Sequence, residues 1–215
     1  MILVPVKNLA NAKQRLARAL EQSSRTDLAH AMLADVLDAV AEAAADEVSL
    51  VTSDPFALEL ANHYRFAVIS DDSNLGETDA IEMATRVCAS RGIETTLVLP
   101  ADIPLIEAPD IRTIYDAAPA KGTVLVPSAD QRGTNAVLRR PAALFPLRFG
   151  NDSFVPHLAA AVATRATCVV LSLPRIALDI DTPEDLQNLV NAEGKKKAQI
   201  LARKFGLSEV AAANP

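Results

Sequence analysis

The chain has no tryptophan, two cysteines, three histidines and seven glycines among 215 residues. Cys88 and Cys168 lie far apart and form no CxxC pair, so with so few histidines neither a disulfide framework nor a zinc site is expected. Both thiols are read as buried packing residues. No apolar run approaches the roughly 20 residues that a membrane-spanning helix needs. No positively charged leader with an apolar centre precedes the first strand. A soluble, cytoplasmic protein with no membrane partner is expected. Basic charge is also short, with 21 Lys and Arg against 27 Asp and Glu. Residues 1–192 hold 16 basic and 25 acidic groups, whereas 193–215 hold 5 and 2. A body of this sign offers no basic face to a phosphate backbone, which argues against nucleic acid as the main partner. No glycine stands in the stretch just after the first strand, so both the Walker loop and the GxGxxG fingerprint are absent.

What is present is apolar and periodic. Hydrophobic residues make up 50% of the chain, enough for a core and too many for a disordered segment. Residues 1–6, 48–52, 66–69, 96–100, 124–127 and 169–173 are short runs that suit buried strands. Residues 25–45 carry Leu28, Met32, Leu33, Val36, Leu37 and Val40 at helical spacing, and 55–64 and 79–90 read as two further helices. Ser53, Asp54 and Pro55 start the second helix. Strands alternating with helices indicate an α/β fold, one mostly parallel sheet covered on both faces. Residues 1–192 are read as one domain. Residues 193–215 are read as a basic amphipathic helix and a tail, solvated or set against a second copy in a homodimer.

Ligands of such sheets bind beyond the carboxyl ends of the strands, so the residues that follow each strand are the candidates. After the first comes PVKNLANAKQRL, with Lys7, Lys13 and Arg15. Three cations so close together suit a polyphosphate, although a solvated surface accounts for them as well. After residues 96–100 comes Asp102, held between Pro100 and Pro104. It either presents a hard oxygen to Mg²⁺ or caps a turn. Asp179 and Asp181 stand two apart in LDIDTPEDL, on one face of an extended stretch. Like charges there repel unless a cation lies between them, and with Asp102 they suggest a Mg²⁺ site that bridges nucleotide phosphates. Thr182 or Asp181 caps the next helix, with Pro183 at its first position. In FGNDSF, Gly150 allows close backbone approach and the Ser153 hydroxyl suits a small dianion. The same motif reads equally as a helix start capped by Asn151 or Asp152, and helix N-termini themselves bind anions. Residues 141–150 are apolar, a packed hairpin or a flap. His30, His63 and His157 are expected on helix surfaces or at helix ends, with no catalytic role.

In order along the chain, PVKNLANAKQRL, NLGETDAI, LPADIPL, RGTNAVL, FGNDSF and LDIDTPEDL resemble the guanylyltransferases of coenzyme F420 biosynthesis, the 2-phospho-L-lactate or phosphoenolpyruvate guanylyltransferase family. The resemblance covers roughly residues 1–190. It implies a single Rossmann-like nucleotidyltransferase domain that moves GMP from GTP to a three-carbon phospho-acid and releases pyrophosphate. It implies that Lys7, Lys13 and Arg15 hold the triphosphate, and that the turn of residues 74–79, with Gly76, Thr78 and Asp79, contacts the guanosine. It further implies that Asp102, Asp179 and Asp181 hold Mg²⁺, and that Thr134, Gly150 and Ser153 receive the phospho-acid. Lys13 and Asp102 are then the catalytic pair. Phosphoenolpyruvate, 2-phospho-L-lactate and 3-phospho-D-glycerate all stand open as the acceptor. The alternatives are another transferase of this fold, acting on a sugar phosphate or molybdopterin, and a non-catalytic GTP-binding regulatory domain.

Overall fold

Ile2, Leu3 and Val4 have no exposed surface, as a strand covered on both faces requires. Ile2 and Val4 face one apolar layer and Leu3 the other, the alternation of an extended backbone. The computed structural model describes residues 1–43, 47–71, 76–150 and 152–205. Its strands are β1 (Ile2–Pro5), β2 (Val48–Val51), β3 (Ala67–Ile69), β4 (Thr96–Val98), β5 (Gly122–Pro127), β6 (Thr134–Arg140) and β7 (Thr167–Val170). They form one sheet in the order β3-β2-β1-β4-β6-β5-β7. β6 runs antiparallel to both its neighbours, β4 and β5, and the other pairings are parallel. The chain leaves β1 in both directions, since β2 and β4 each pair with it in parallel. That reversal opens a crevice beyond the carboxyl ends of β1 and β4.

The helices are α1 (Gln22–Glu42), α2 (Pro55–Tyr64), α3 (Glu77–Ser90), α4 (Ala108–Asp116), α5 (Phe154–Ala163), α6 (Pro174–Ala177), α7 (Pro183–Asn191) and α8 (Lys197–Lys204). Leu28, Leu33 and Leu37 of α1, with Ile111 and Leu189, fill the layer on one face of the sheet. Ile81, Ala84 and Cys88 of α3, with Phe145, Leu147 and Ala161, fill the other. The apolar stretch of residues 141–150 is therefore packed, not a flap. No helix among the described residues is long and apolar enough to cross a membrane.

Several elements depart from the sequence reading. β6 and α4 were not anticipated as elements, α5 begins where the FGNDSF motif offered a helix start, and the strand expected at 169–173 lies at Thr167–Val170. Gly122 sets that register, because a Cβ there would stand 2.0 Å from the Thr167 carbonyl oxygen. Cys88 is buried as expected, but Cys168, on the edge strand β7, is only half-buried. The basic helix α8 is not a solvated appendage, since Ala198 and Ala202 have no exposed surface. The Asp35 carboxylate of α1, itself 1% exposed, accepts from the backbone N–H of Lys197 (2.9 Å) and of Ala198 (2.8 Å). A buried anion thus meets the positive end of α8. Residues 44 and 45 of the first expected helix and the tail 206–215 lie outside the described residues.

Candidate active site

The loop of residues 7–16 is anchored by Leu9 and Leu16, which are 6% and 0% exposed. The Leu9 N–H donates to Asp54 Oδ2 at 2.9 Å, while Asp54 Oδ1 caps α2 through Ala57 N–H at 3.1 Å. One carboxylate so fixes both the loop and the helix beside it. Lys13 takes a left-handed backbone (φ 56°, ψ 43°), a conformation that costs a non-glycine residue roughly 1 kcal/mol. The turn aims the side chain inward. Its ammonium, on a side chain 8% exposed, lies 2.7 Å from Asp102 Oδ2 and 2.9 Å from Asp181 Oδ1. Arg15 Nη1 reaches the other Asp181 oxygen at 3.2 Å, and Lys7 Nζ lies 3.3 Å from Asp71 Oδ2.

The charges tune one another. Burial alone would lower the Lys13 ammonium, but the charges and hydrogen bonds of Asp102 and Asp181 hold it above the ordinary lysine range. Burial would raise Asp181, and Lys13 and Arg15 bring it below the usual carboxylate range instead. Asp179 stays raised, mainly by burial and further by the charges of Asp102 and Asp181, against a hydrogen bond from Asn135. Burial, followed by the charge of Asp102, pushes the Glu77 carboxyl up to about 7.

Two clefts meet at this cluster. One, of about 380 Å³, runs over Lys7, Leu9 and Lys13 beyond β1. The other, of about 880 Å³, lies over Ser128, Thr134, Gly150, Ser153 and Asp179. Arg15, Glu77, Pro100, Asp102 and Asp181 line both. Ile180 N–H donates to the Asp102 carbonyl at 3.0 Å, which ties the two acidic segments together. In the second cleft, Phe154 N–H donates to the Arg132 carbonyl at 2.9 Å and Arg132 Nε bonds Asp152 at 2.6 Å. The RGTN and FGNDS segments are thereby joined, and Thr134, Gly150 and Ser153 share one wall.

Other expected residues fall elsewhere. Asp181 does not cap α7; Thr182 does, accepting from Asp185 N–H at 3.2 Å. Asp152 does not cap α5; Ser153 holds that position, and Asn151 lies outside the described residues. Asn74 and Leu75 also lie outside the described residues. Gly76, Thr78 and Asp79 stand at the start of α3, but it is Glu77 that lines both clefts. The Thr78 hydroxyl accepts from Phe149 N–H at 2.9 Å, so it clamps the segment before Gly150.

The sequence reading missed Asn135, whose Nδ2 donates to the carbonyl of Ile176 and to Asp179 Oδ1, both at 2.9 Å. It also missed Glu77, whose signal was an acid one residue after a glycine at a helix start. His63 is exposed and His30 half-buried on their helices, as anticipated. His157 is the exception, with no exposed surface at all.

Asp102 and Asp181 are 29% and 39% exposed at the side chain and offer hard oxygens toward the junction of the clefts. Mg²⁺ commonly takes one or two carboxylates and completes its shell with phosphates and water, so this pair fits it. A cage of three carboxylates is not assembled among the described residues. Asp179 is engaged by Asn135, and the Lys13 ammonium stands between the other two.

Comparison with known proteins accords with this geometry. A phosphoenolpyruvate guanylyltransferase of Roseiflexus castenholzii is 36% identical over 203 residues, 94% of this chain and 93% of that protein. A 2-phospho-L-lactate guanylyltransferase of Methanothermobacter thermautotrophicus is 32% identical over 202 residues, 94% of this chain and 89% of that protein. Among solved structures, a protein from Desulfovibrio desulfuricans G20 described as a nucleotide-diphospho-sugar transferase superposes with a TM-score of 0.78 at 18% identity. The match covers 95% of this chain and 94% of that one and shows the shared fold. The family model described as "Guanylyl transferase CofC like" matches residues 1–213, and the chain belongs to that family.

Proposed function

We propose that this protein, acting in the cytoplasm, transfers GMP from GTP to a three-carbon phospho-acid and releases pyrophosphate, in the manner of coenzyme F420 biosynthesis. The observation that carries the reading is the pair of clefts with one shared, charged wall. A transferase must bring two substrates to one point, and a regulatory domain needs only one cleft. The cleft with Lys7 and Lys13 suits the triphosphate, and the cleft with Thr134, Gly150 and Ser153 suits the acceptor. The names of the relatives supply guanine, phosphoenolpyruvate and 2-phospho-L-lactate.

A phosphate monoester is largely a dianion at neutral pH, since its second pKa is near ~6. One of its oxygens attacks the α-phosphorus in line, and the bond from that phosphorus to the bridging oxygen of pyrophosphate breaks. No proton has to be removed, so no general base is needed. Catalysis then comes from placement and from charge neutralisation. Lys13, held rigidly at the junction, and the more mobile Arg15 face the transferring group. Asp102 and Asp181 would hold Mg²⁺, which when bound supplies further neutralisation of the phosphate oxygens.

The test is pyrophosphate release with GTP, Mg²⁺ and phosphoenolpyruvate, 2-phospho-L-lactate or 3-phospho-D-glycerate in parallel, with ATP and CTP as controls. Release that depends on GTP and one acid is expected, and Asp102→Asn should lower it at least about 10²-fold without unfolding the protein. GTP binding with no release for any acid would favour the regulatory reading.

A further inference from the structure

His157 is buried without a water-facing edge, on the inner side of α5. Its ring packs edge-on against Phe149, with centroids 5.1 Å apart. Both ring nitrogens have partners. Nε2 lies 2.9 Å from the backbone nitrogen of Arg148, and Nδ1 lies 3.0 Å from Thr134 Oγ1. A backbone N–H can only donate, so Nε2 must be bare. The ring is kept neutral by burial, reinforced by the charge of Arg139, which pushes its pKa down to about 4. The one ring proton therefore sits on Nδ1 and is donated to Thr134.

That fixes the polarity of Thr134. Its hydroxyl oxygen accepts from His157 and from Ser153 Oγ at 3.4 Å, so its own proton must point elsewhere, into the acceptor cleft that Thr134 lines. An oxygen that already accepts is best completed by a ligand that only accepts, and carboxylates and phosphates are such ligands. We propose that His157 is a positioning residue for the acceptor substrate: it locks the Thr134 hydroxyl as a donor to the anionic end of the phospho-acid. Through Arg148 it also holds the loop that carries Gly150. The inference rests on the reading of the second cleft as the acceptor site.

Two substitutions separate the contacts. His157→Asn places an amide NH₂ near the position of Nδ1 and keeps the donor to Thr134. His157→Gln places its amide near Nε2 and loses that donor while keeping an acceptor for Arg148. Steady-state KM values for GTP and for the phospho-acid are measured for both variants and for His157→Gln/Thr134→Val. The expected result is a KM for the phospho-acid raised about 10- to 100-fold in His157→Gln, the loss of one oriented bond to a charged group. The KM for GTP stays as in the wild type, His157→Asn restores most of the loss, and adding Thr134→Val to His157→Gln raises the KM no further. The wild-type tautomer is read independently from long-range ¹H–¹⁵N spectra, with His157 assigned by its absence in His157→Asn. An Nε2–H tautomer, or equal KM changes for both substrates, overturns the proposal. Wild-type turnover with an unchanged KM in His157→Gln overturns the His157 role alone. No wild-type turnover with any of the acids overturns the acceptor-site reading and this inference with it.

Discussion

Replacing Lys13 by Met keeps the bulk of the side chain and removes the charge between Asp102 and Asp181. At 2.7 and 2.9 Å, each attraction amounts to roughly 6 kcal/mol at an effective dielectric constant of ~20. Most of this is offset by the cost of burying an ammonium whose side chain is 8% exposed. The carboxylates, 29% and 39% exposed, rehydrate once the lysine is gone. The net loss of stability is about 2 kcal/mol, or about 5 °C of melting temperature for a chain of this length. The loss in catalysis is larger, about 10²–10³-fold in kcat, because a cation placed beforehand at the transferring group has no replacement from solvent. Without the lysine, Asp102 and Asp181, the latter still paired with Arg15, also bind a divalent ion without displacing an ammonium. Mg²⁺ should therefore raise the melting temperature of Lys13→Met more than that of the wild type. Thermal melts with and without Mg²⁺, together with pyrophosphate release, check both parts. A variant within threefold of wild-type kcat, or one that gains no extra stability from Mg²⁺, refutes the reasoning.

Asp35→Asn keeps the shape of the α8 cap but sets an NH₂ against one of two backbone donors. It should cost about 2–3 kcal/mol in urea denaturation, with the KM values of both substrates unchanged. Glu77→Gln tests a titration whose sign is fixed. Burial pushes the folded carboxyl up to about 7 from an ordinary 4.5, so the native state keeps a proton that the unfolded chain has released. Wild-type stability should fall as pH rises through that window, and Glu77→Gln should remove the fall. Urea midpoints at pH 4.5, 6 and 8 read this directly, and identical slopes for the two proteins would contradict it.

The parallel half of the sheet was legible because its strands are short apolar runs set between amphipathic helices. β6 was not, because residues 134–140 (TNAVLRR) mix polar and apolar residues. Arg139 is nevertheless fully buried, its Nη2 donating to Thr85 Oγ1 at 2.8 Å and its Nη1 to the Phe145 carbonyl at 2.5 Å, while its Nε has no partner among the described residues. A buried arginine reads as surface in any composition argument. Lys7, Lys13, Arg15 and Asp102 were legible from their places after strands, and Asp181 from its spacing to Asp179 in an extended stretch. Asn135 and His157 were not, because they act through partners 44 and 23 residues away. The resemblance implied a guanosine contact for Thr78, and the structure adds a contact that local sequence does not show, its hydroxyl meeting Phe149, 71 residues on.

Those distant partners form one device. The segment of residues 145–149 is pinned at alternate residues: the Phe145 carbonyl by Arg139, the Leu147 N–H by Glu82 Oε1 at 2.9 Å, and the Phe149 N–H by Thr78. Glu82 and Thr78 both belong to α3, and α3 begins at Glu77, which lines both clefts. The helix that borders the cleft of Lys7 and Lys13, the proposed nucleotide site, is thus the one that holds residues 145–149, beside the proposed acceptor site, in place. Each pin is a hydrogen bond with at least one partner out of full solvent contact, where losing it leaves a polar group unpaired. Any shift of α3 at the nucleotide cleft must therefore carry residues 145–149 with it or break several such bonds at once. In-line attack needs the acceptor oxygen and the α-phosphorus aligned to within a fraction of an ångström. On the proposed function, a support shared by both clefts would supply that alignment without a glycine-rich loop closing over the triphosphate.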